Sequence, residues 1–179
     1  YLIDVYQEFH RNPEHEMVEI LFEGAQGFGL DVDWGDYPYV TSSHCTVGGA
    51  ILNGIPAQSI REVYGAAKIY ETYVGAKEFG MEEGIEAKVI REFGEEFGAT
   101  TGRPRKIDWF DLDAVSKASD INGLTTLVIN KVDVLEKVGK FMLYHGDNKF
   151  EFDSLEDMKY YIEEHLKRDD FEIIFSGHK

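Results

Sequence analysis

Apolar residues at helical spacing open the chain: Leu2, Ile3, Val5, Tyr6 and Phe9 recur on one face of a 3.6-residue repeat. The apolar run at 17–22, bounded by polar residues and Gly24, predicts a short buried strand. Residues 24–46 are rich in Gly, Asp, Tyr, Ser and Thr and predict one long loop, kept ordered by Phe28, Trp34, Tyr37 and Tyr39. A short helix at 47–53 and a β-rich stretch at 60–74 follow, the latter carried by Val63, Ile69, Tyr70, Tyr73 and Val74. The pattern then predicts a helix at 84–93, a loop at 94–106, a helix at 111–121 and a strand at 124–130. Segments 140–145 and 148–152 form a hairpin around Gly146-Asp147. Ser154, with Asp157 three residues on, signals a capped helix start. Leu155, Met158, Ile162 and Leu166 share one face of that helix, and a strand at 171–175 runs into Ser176-Gly177.

Strands alternating with helices predict an α/β fold with a largely parallel central sheet and flanking helices. With no internal repeat and no linker-like stretch, residues 1–179 are expected to form a single domain. Their 43% hydrophobic content is enough for a core. No apolar run approaches the roughly 18 residues of a membrane helix, so no membrane span is expected. Because Tyr1 already lies within a helical pattern, the chain reads as a fragment of a longer one.

Charge narrows the partners. The net −16 argues against nucleic acid and anionic membranes, both of which are met by basic surfaces. Arg103, Arg105 and Lys106 nevertheless fall within four residues. The single Cys45 permits no internal disulfide and reads as a small, mostly buried residue. With no secretory signal pattern, a cytoplasmic location is expected. The six histidines (10, 15, 44, 145, 165, 178) show no metal-ligand spacing, so no metal site is expected in this chain.

Three segments carry candidate chemistry. Asn130-Lys131-Val132-Asp133 follows an apolar strand, where ligands of open α/β sheets bind. A carboxylate there accepts from both N1–H and the 2-amino group of guanine, while a lysine stem lies along the base; the bland alternative is a solvated turn. Gly98-Ala99-Thr100-Thr101-Gly102-Arg103-Pro104-Arg105 combines small residues, hydroxyls and two arginines, as a loop gripping a small dianion requires. Glu23-Gly24-Ala25-Gln26-Gly27 offers Gln26 as both donor and acceptor to a purine edge, and Thr41-Ser42-Ser43 offers hydroxyls and amides to a phosphate. The P-loop pattern is absent.

In order and spacing, Phe22-Glu23-Gly24-Ala25-Gln26-Gly27, Tyr37-Pro38-Tyr39-Val40-Thr41-Ser42-Ser43 and Glu96-Phe97-Gly98-Ala99-Thr100-Thr101-Gly102-Arg103 resemble the adenylosuccinate synthetase family. Trp109, the Lys131/Asp133 pair and Ser176-Gly177 continue the resemblance over nearly the whole chain. It implies an incomplete adenylosuccinate synthetase fold, P-loop-NTPase-like in architecture. It also implies GTP-dependent ligation of L-aspartate to IMP, with Mg²⁺ held by residues outside this chain, in a cytoplasmic homodimer. Gln26 then contacts the purine and stabilises a 6-phosphoryl intermediate, Thr41 holds the 5′-phosphate, and Leu30 and Val74 pack near the nucleoside. Thr100, Thr101 and Arg103 form the aspartate loop, Arg103 also reaching the ribose and Arg105 the aspartate carboxylate or GTP phosphates. Lys131, Asp133, Ser176 and Gly177 form the guanine pocket. The family's catalytic aspartate, histidine and phosphate loop are not in this chain, so it is expected to be inactive alone.

Two departures keep a second acceptor open. The family has a proline-rich stretch where this chain reads Ala76-Lys77-Glu78-Phe79-Gly80-Met81-Glu82-Glu83, and glycine where it has Asp108. Both resemble the phage branch that uses dGMP, with Asp108 a candidate acceptor for a 2-amino group. A guanine-nucleotide-binding module without catalysis is the alternative of another class.

Overall fold

The computed structural model describes residues 4–11, 19–81, 84–98 and 102–177. The chain divides into two compact units, Tyr1–Arg61 and Glu62–Lys179.

In the first unit, Asp4 caps α1 (Val5–His10) by accepting from the Gln7 amide. A 3₁₀ turn at Phe28–Leu30, α2 (Gly48–Leu52) and a second 3₁₀ turn at Ala57–Ser59 follow. The buried strand expected at 17–22 is not found over its described part: residues 19–22 carry no strand, and Leu21 is 91% exposed. An apolar run becomes a strand only on a partner's ladder, and no ladder pairs with these residues. Loop 24–46 is ordered as expected, pinned by Asp31 (below).

The described residues of the second unit form two sheets. β1 (Tyr64–Lys68), β4 (Thr126–Asn130) and β7 (Glu172–Phe175) form a parallel sheet in the order β1-β4-β7. Its register pairs Ala67 with Ile129 and Ile129 with Phe175. β4 is the central strand, and its Leu127 and Ile129 are buried, as parallel sheets require. The other sheet has the order β2-β3-β5-β6, from β2 (Tyr70–Tyr73), β3 (Lys106–Asp111), β5 (Phe141–His145) and β6 (Asn148–Phe152). Within it β3 and β5 are parallel, while β2-β3 and the hairpin β5-β6 are antiparallel. The parallel sheet is thus accompanied by a mixed one. The β-rich stretch at 60–74 resolves into two strands in different sheets, separated by the fully buried Ile69.

Helices α3 (Ile85–Phe93), α4 (Leu112–Asn122), α5 (Val132–Val138) and α6 (Leu155–Leu166) complete the unit. Ser154 caps α6 by accepting from the Asp157 amide, and Leu155, Met158, Ile162 and Leu166 are all buried. Among the described residues, no helix is long and apolar enough to cross a membrane.

Candidate functional site

Three parallel strands end together. β1 ends at Lys68, β4 at Asn130 and β7 at Phe175, so the residues beyond these ends occupy the usual ligand position of an open α/β sheet. Beyond β4, Lys131 takes φ 61, ψ 28, a left-handed conformation uncommon for a residue other than glycine, and occupies the N-cap position of α5 without a side-chain cap bond. Asp133 follows in the first turn. The Val132 amide donates to the Ser176 carbonyl at 3.2 Å, and the Ser176 amide to the Ile129 carbonyl at 2.9 Å. A Cβ placed on Gly177 would stand 3.4 Å from Asp133 Cγ, so a bare backbone lies against that carboxylate. The structure therefore brings Lys131, Asp133, Ser176 and Gly177 together. Asn130 Oδ1 is buried there without a hydrogen-bond partner among the described residues.

The electrostatic centre is Glu96, 1% exposed. Lys68 Nζ donates to its Oε2 at 2.7 Å and Arg105 NH1 to the same oxygen at 3.1 Å. Tyr70 donates its hydroxyl to Oε1 at 2.8 Å, and Lys131 Nζ lies 3.6 Å from Oε1. Lys131 also donates to the Gly94 carbonyl. Burial opposes ionisation of Glu96, but bonds from Lys68 and Tyr70 and the charges of Lys68 and Lys131 outweigh it, holding the carboxyl below its ordinary range. Burial lowers Lys68, against the pull of Glu96 and with help from Arg105 and Lys131. Burial and the bond to Glu96 push the Tyr70 hydroxyl far up, so it stays protonated and donating. One carboxylate thus faces three cations, and an excess of positive charge remains where an anionic ligand would sit.

Glu96 also fixes the loop behind it. The Arg105 amide donates to the Glu96 carbonyl at 2.9 Å, and Phe97 and Pro104 form an isolated bridge. The Gly98 amide donates to the Arg103 carbonyl at 2.8 Å, so Arg103 sits at the neck of the 98–105 loop, exposed. Thr100 and Thr101, expected to bind aspartate, lie outside the described residues. Val74, just past β2, is 50% exposed.

In the first unit, Gln26 is exposed and takes φ 67, a strained setting that often marks a functional position. Leu30 and Thr41 are half-buried, and the Thr41 amide donates to the Leu30 carbonyl at 2.8 Å. Asp31, fully buried, organises this loop. Its Oδ1 accepts from the Asp33 and Trp34 amides at 2.9 and 3.0 Å, and its Oδ2 from the Cys45 amide at 2.6 Å. Burial raises the Asp31 carboxyl, but these bonds and His44 bring it below its ordinary value. Cys45 is half-buried, and burial together with the Asp31 charge pushes its thiol up, so it is a poor nucleophile.

Asp31, Asp33 and His44 could bring one ligand atom each within 4.8 Å. The set does not fit Mg²⁺, a hard cation that takes oxygen ligands, because it includes an imidazole and a carboxylate already engaged by three amides. Asp108, singled out as a departure, sits on β3 and accepts from the Trp109 amide at 2.8 Å and the Tyr144 hydroxyl at 3.1 Å. Segment 76–81 docks on the same strand: the Met81 amide donates to the Ile107 carbonyl, and Lys106 Nζ to the Lys77 carbonyl.

The sequence reading gave no role to Lys68, Tyr70 or Glu96. Its available signal was charge beside apolar residues, Lys68 before Ile69-Tyr70 and Glu96 before Phe97, since a buried charge implies a partner.

Residues 1–163 match the family model described as adenylosuccinate synthetase. The adenylosuccinate synthetases of Petrotoga mobilis and Thermus thermophilus are 52% and 50% identical over 122 and 123 residues, each covering 68% of this chain. The chain spans only 29–30% of the length of these curated relatives. A fully ligated adenylosuccinate synthetase structure from Plasmodium falciparum superposes with a TM-score of 0.85 at 26% identity, covering 99% of this chain and 52% of that one.

Proposed function

The chain belongs to the adenylosuccinate synthetase family, and from that premise we propose that it carries the guanine-reading and aspartate-gripping parts of a GTP-dependent ligase joining L-aspartate to IMP. The observation that carries the reading is the meeting of Lys131 and Asp133 with Ser176 and Gly177 beyond β4 and β7, beside the cation cluster on Glu96. Asp133 accepts from guanine N1–H and its 2-amino group, the Lys131 stem lies along the base, and Ser176-Gly177 closes the edge. Arg103 and Arg105, with Thr100 and Thr101, hold the aspartate carboxylates, and Arg105 also faces the GTP phosphates. Gln26 meets the changing purine edge, Thr41 the 5′-phosphate, and Leu30 and Val74 the nucleoside.

The chemistry is two displacements. Loss of the N1 proton makes the purine 6-oxygen nucleophilic; it attacks the γ-phosphorus of GTP and GDP leaves. The aspartate amine then attacks C6, phosphate leaves with the 6-oxygen, and the amine loses a proton. Positioned cations stabilise charge spread over the transferring phosphoryl group. Mg²⁺ remains a family expectation, and none of these steps is assigned to it. IMP is favoured over dGMP by the match to adenylosuccinate synthetases; Asp108 holds the Trp109 amide and the Tyr144 hydroxyl through Oδ1 and does not itself decide between the two acceptors. The same reading makes the protein a cytoplasmic homodimer.

Phosphate release by the intact protein from GTP and aspartate, with IMP or dGMP as acceptor, tests it. Release with IMP is expected, with Asp133→Asn raising the KM for GTP roughly ten- to a hundredfold while the KM for IMP holds. Release only with dGMP moves the protein to the other acceptor. GTP binding without release under either condition replaces the ligase by a non-catalytic module.

A further inference from the structure

Two subsites of the proposed ligase converge on one buried side chain that belongs to neither. Glu96 is 1% exposed, so it is placed to act through its neighbours. Lys131, on the guanine side, is 3.6 Å from Oε1 and is also held by the Gly94 carbonyl. Arg105, on the aspartate side, is held twice, by its guanidinium on Oε2 at 3.1 Å and by its amide on the Glu96 carbonyl at 2.9 Å. Residues 94–96 therefore grip both subsites. Lys68 at 2.7 Å and Tyr70 at 2.8 Å fix the carboxylate from the strand side, so it cannot follow one partner and release the other. Without its charge, three cations crowd a half-buried space and repel one another.

We propose that Glu96 is a positioning residue that sets the guanine pocket and the arginine loop together, so that GTP and aspartate affinities rise and fall as a pair. The proposal rests on the ligase reading. Coupling of this kind is reciprocal: what displaces Lys131 also displaces Arg105.

The test compares wild type, Glu96→Gln and Tyr70→Phe in the intact protein, measuring kcat and the KM for GTP and for aspartate. In Glu96→Gln both KM values are expected to rise roughly tenfold, with kcat within about threefold of wild type. Tyr70→Phe conserves volume and touches neither subsite, yet removes one bond to Glu96, so a smaller parallel rise of about threefold is expected. It keeps the proposal testable if Glu96→Gln does not fold. A rise in only one KM, or a fall in kcat with both KM values unmoved, overturns the proposal. Wild type is assayed first: no phosphate release there overturns the ligase reading, whereas an active wild type with unmoved KM values in the variants overturns only the role of Glu96.

Discussion

Glu96 concentrates the physics of the second unit in one side chain. A carboxylate at 1% exposure persists only because Lys68, Arg105, Lys131 and Tyr70 all face it. Removing one partner of such a buried cluster costs about 3–5 kcal/mol, since the rest are left desolvated, and Glu96→Gln is expected at the lower end because the amide still accepts. The pH dependence follows from the direction of its shift. Its folded-state carboxyl is held below the ordinary 4.5, so between the two values the unfolded chain binds more protons and stability falls on acidification. The stabilisation is complete above pH 4.5 and is lost as pH drops through the folded value. Urea midpoints measured down a pH series are expected to drop steeply below that point in wild type and more gently in Glu96→Gln. Equal slopes would remove Glu96 as the acid-sensitive group. Little of this was legible in the sequence, where Glu96 is one of 34 acidic residues, marked only by the apolar Phe97 beside it, and tertiary contacts set it apart.

Elements were legible where their pattern was local. α6 shows why: a capping serine, the amide three residues on that donates to it, and four apolar residues on one face are all written within 13 positions. Its parts are separable by mutation. Ser154→Ala removes the cap and is expected to cost about 1 kcal/mol. Ile162→Ala, in a site with no exposed surface, is expected to cost about 2–5 kcal/mol because a cavity adds to lost burial. Thermal or urea denaturation of the two variants checks the ordering, and a reversed order would place the stability of α6 in its cap. Strand partnership, by contrast, is not local. Residues 60–74 carry one continuous β pattern, yet Ile69 turns the chain from a parallel ladder on β4 to an antiparallel ladder on β3. The run at 17–22 had strand composition, and its described residues have no ladder at all. Composition reports that a segment suits a strand; a partner far along the chain decides whether it becomes one.

Stability is spread unevenly across the molecule. Among the described residues, Ala50 is the one buried apolar side chain of the first unit, while the second buries an aromatic and aliphatic core that includes Tyr70, Phe110, Ile129, Leu143, Met158 and Ile162. What orders the first unit is polar: Asp31 gathers three amides spread between residues 33 and 45. The loop's aromatics were the visible sign of order in the sequence; the structure puts the restraint on the aspartate, while Trp34 and Tyr37 are 45% and 85% exposed. A loop held by one carboxylate opens locally without unfolding the rest, whereas amides of a central strand exchange only when the whole unit opens. Asp31→Ala is therefore expected to speed hydrogen exchange at the amides of Asp33, Trp34 and Cys45 by at least about tenfold, the equivalent of one charge-assisted bond, and to leave β4 unchanged. Lowering the pH of wild type should erode the protection of the same amides, taken relative to their intrinsic exchange rate at each pH, because the Asp31 carboxyl is held below its ordinary value and its grip is lost as pH falls through the folded value. Equal acceleration in β4 would mean that Asp31 supports the stability of the whole molecule instead of pinning this loop alone.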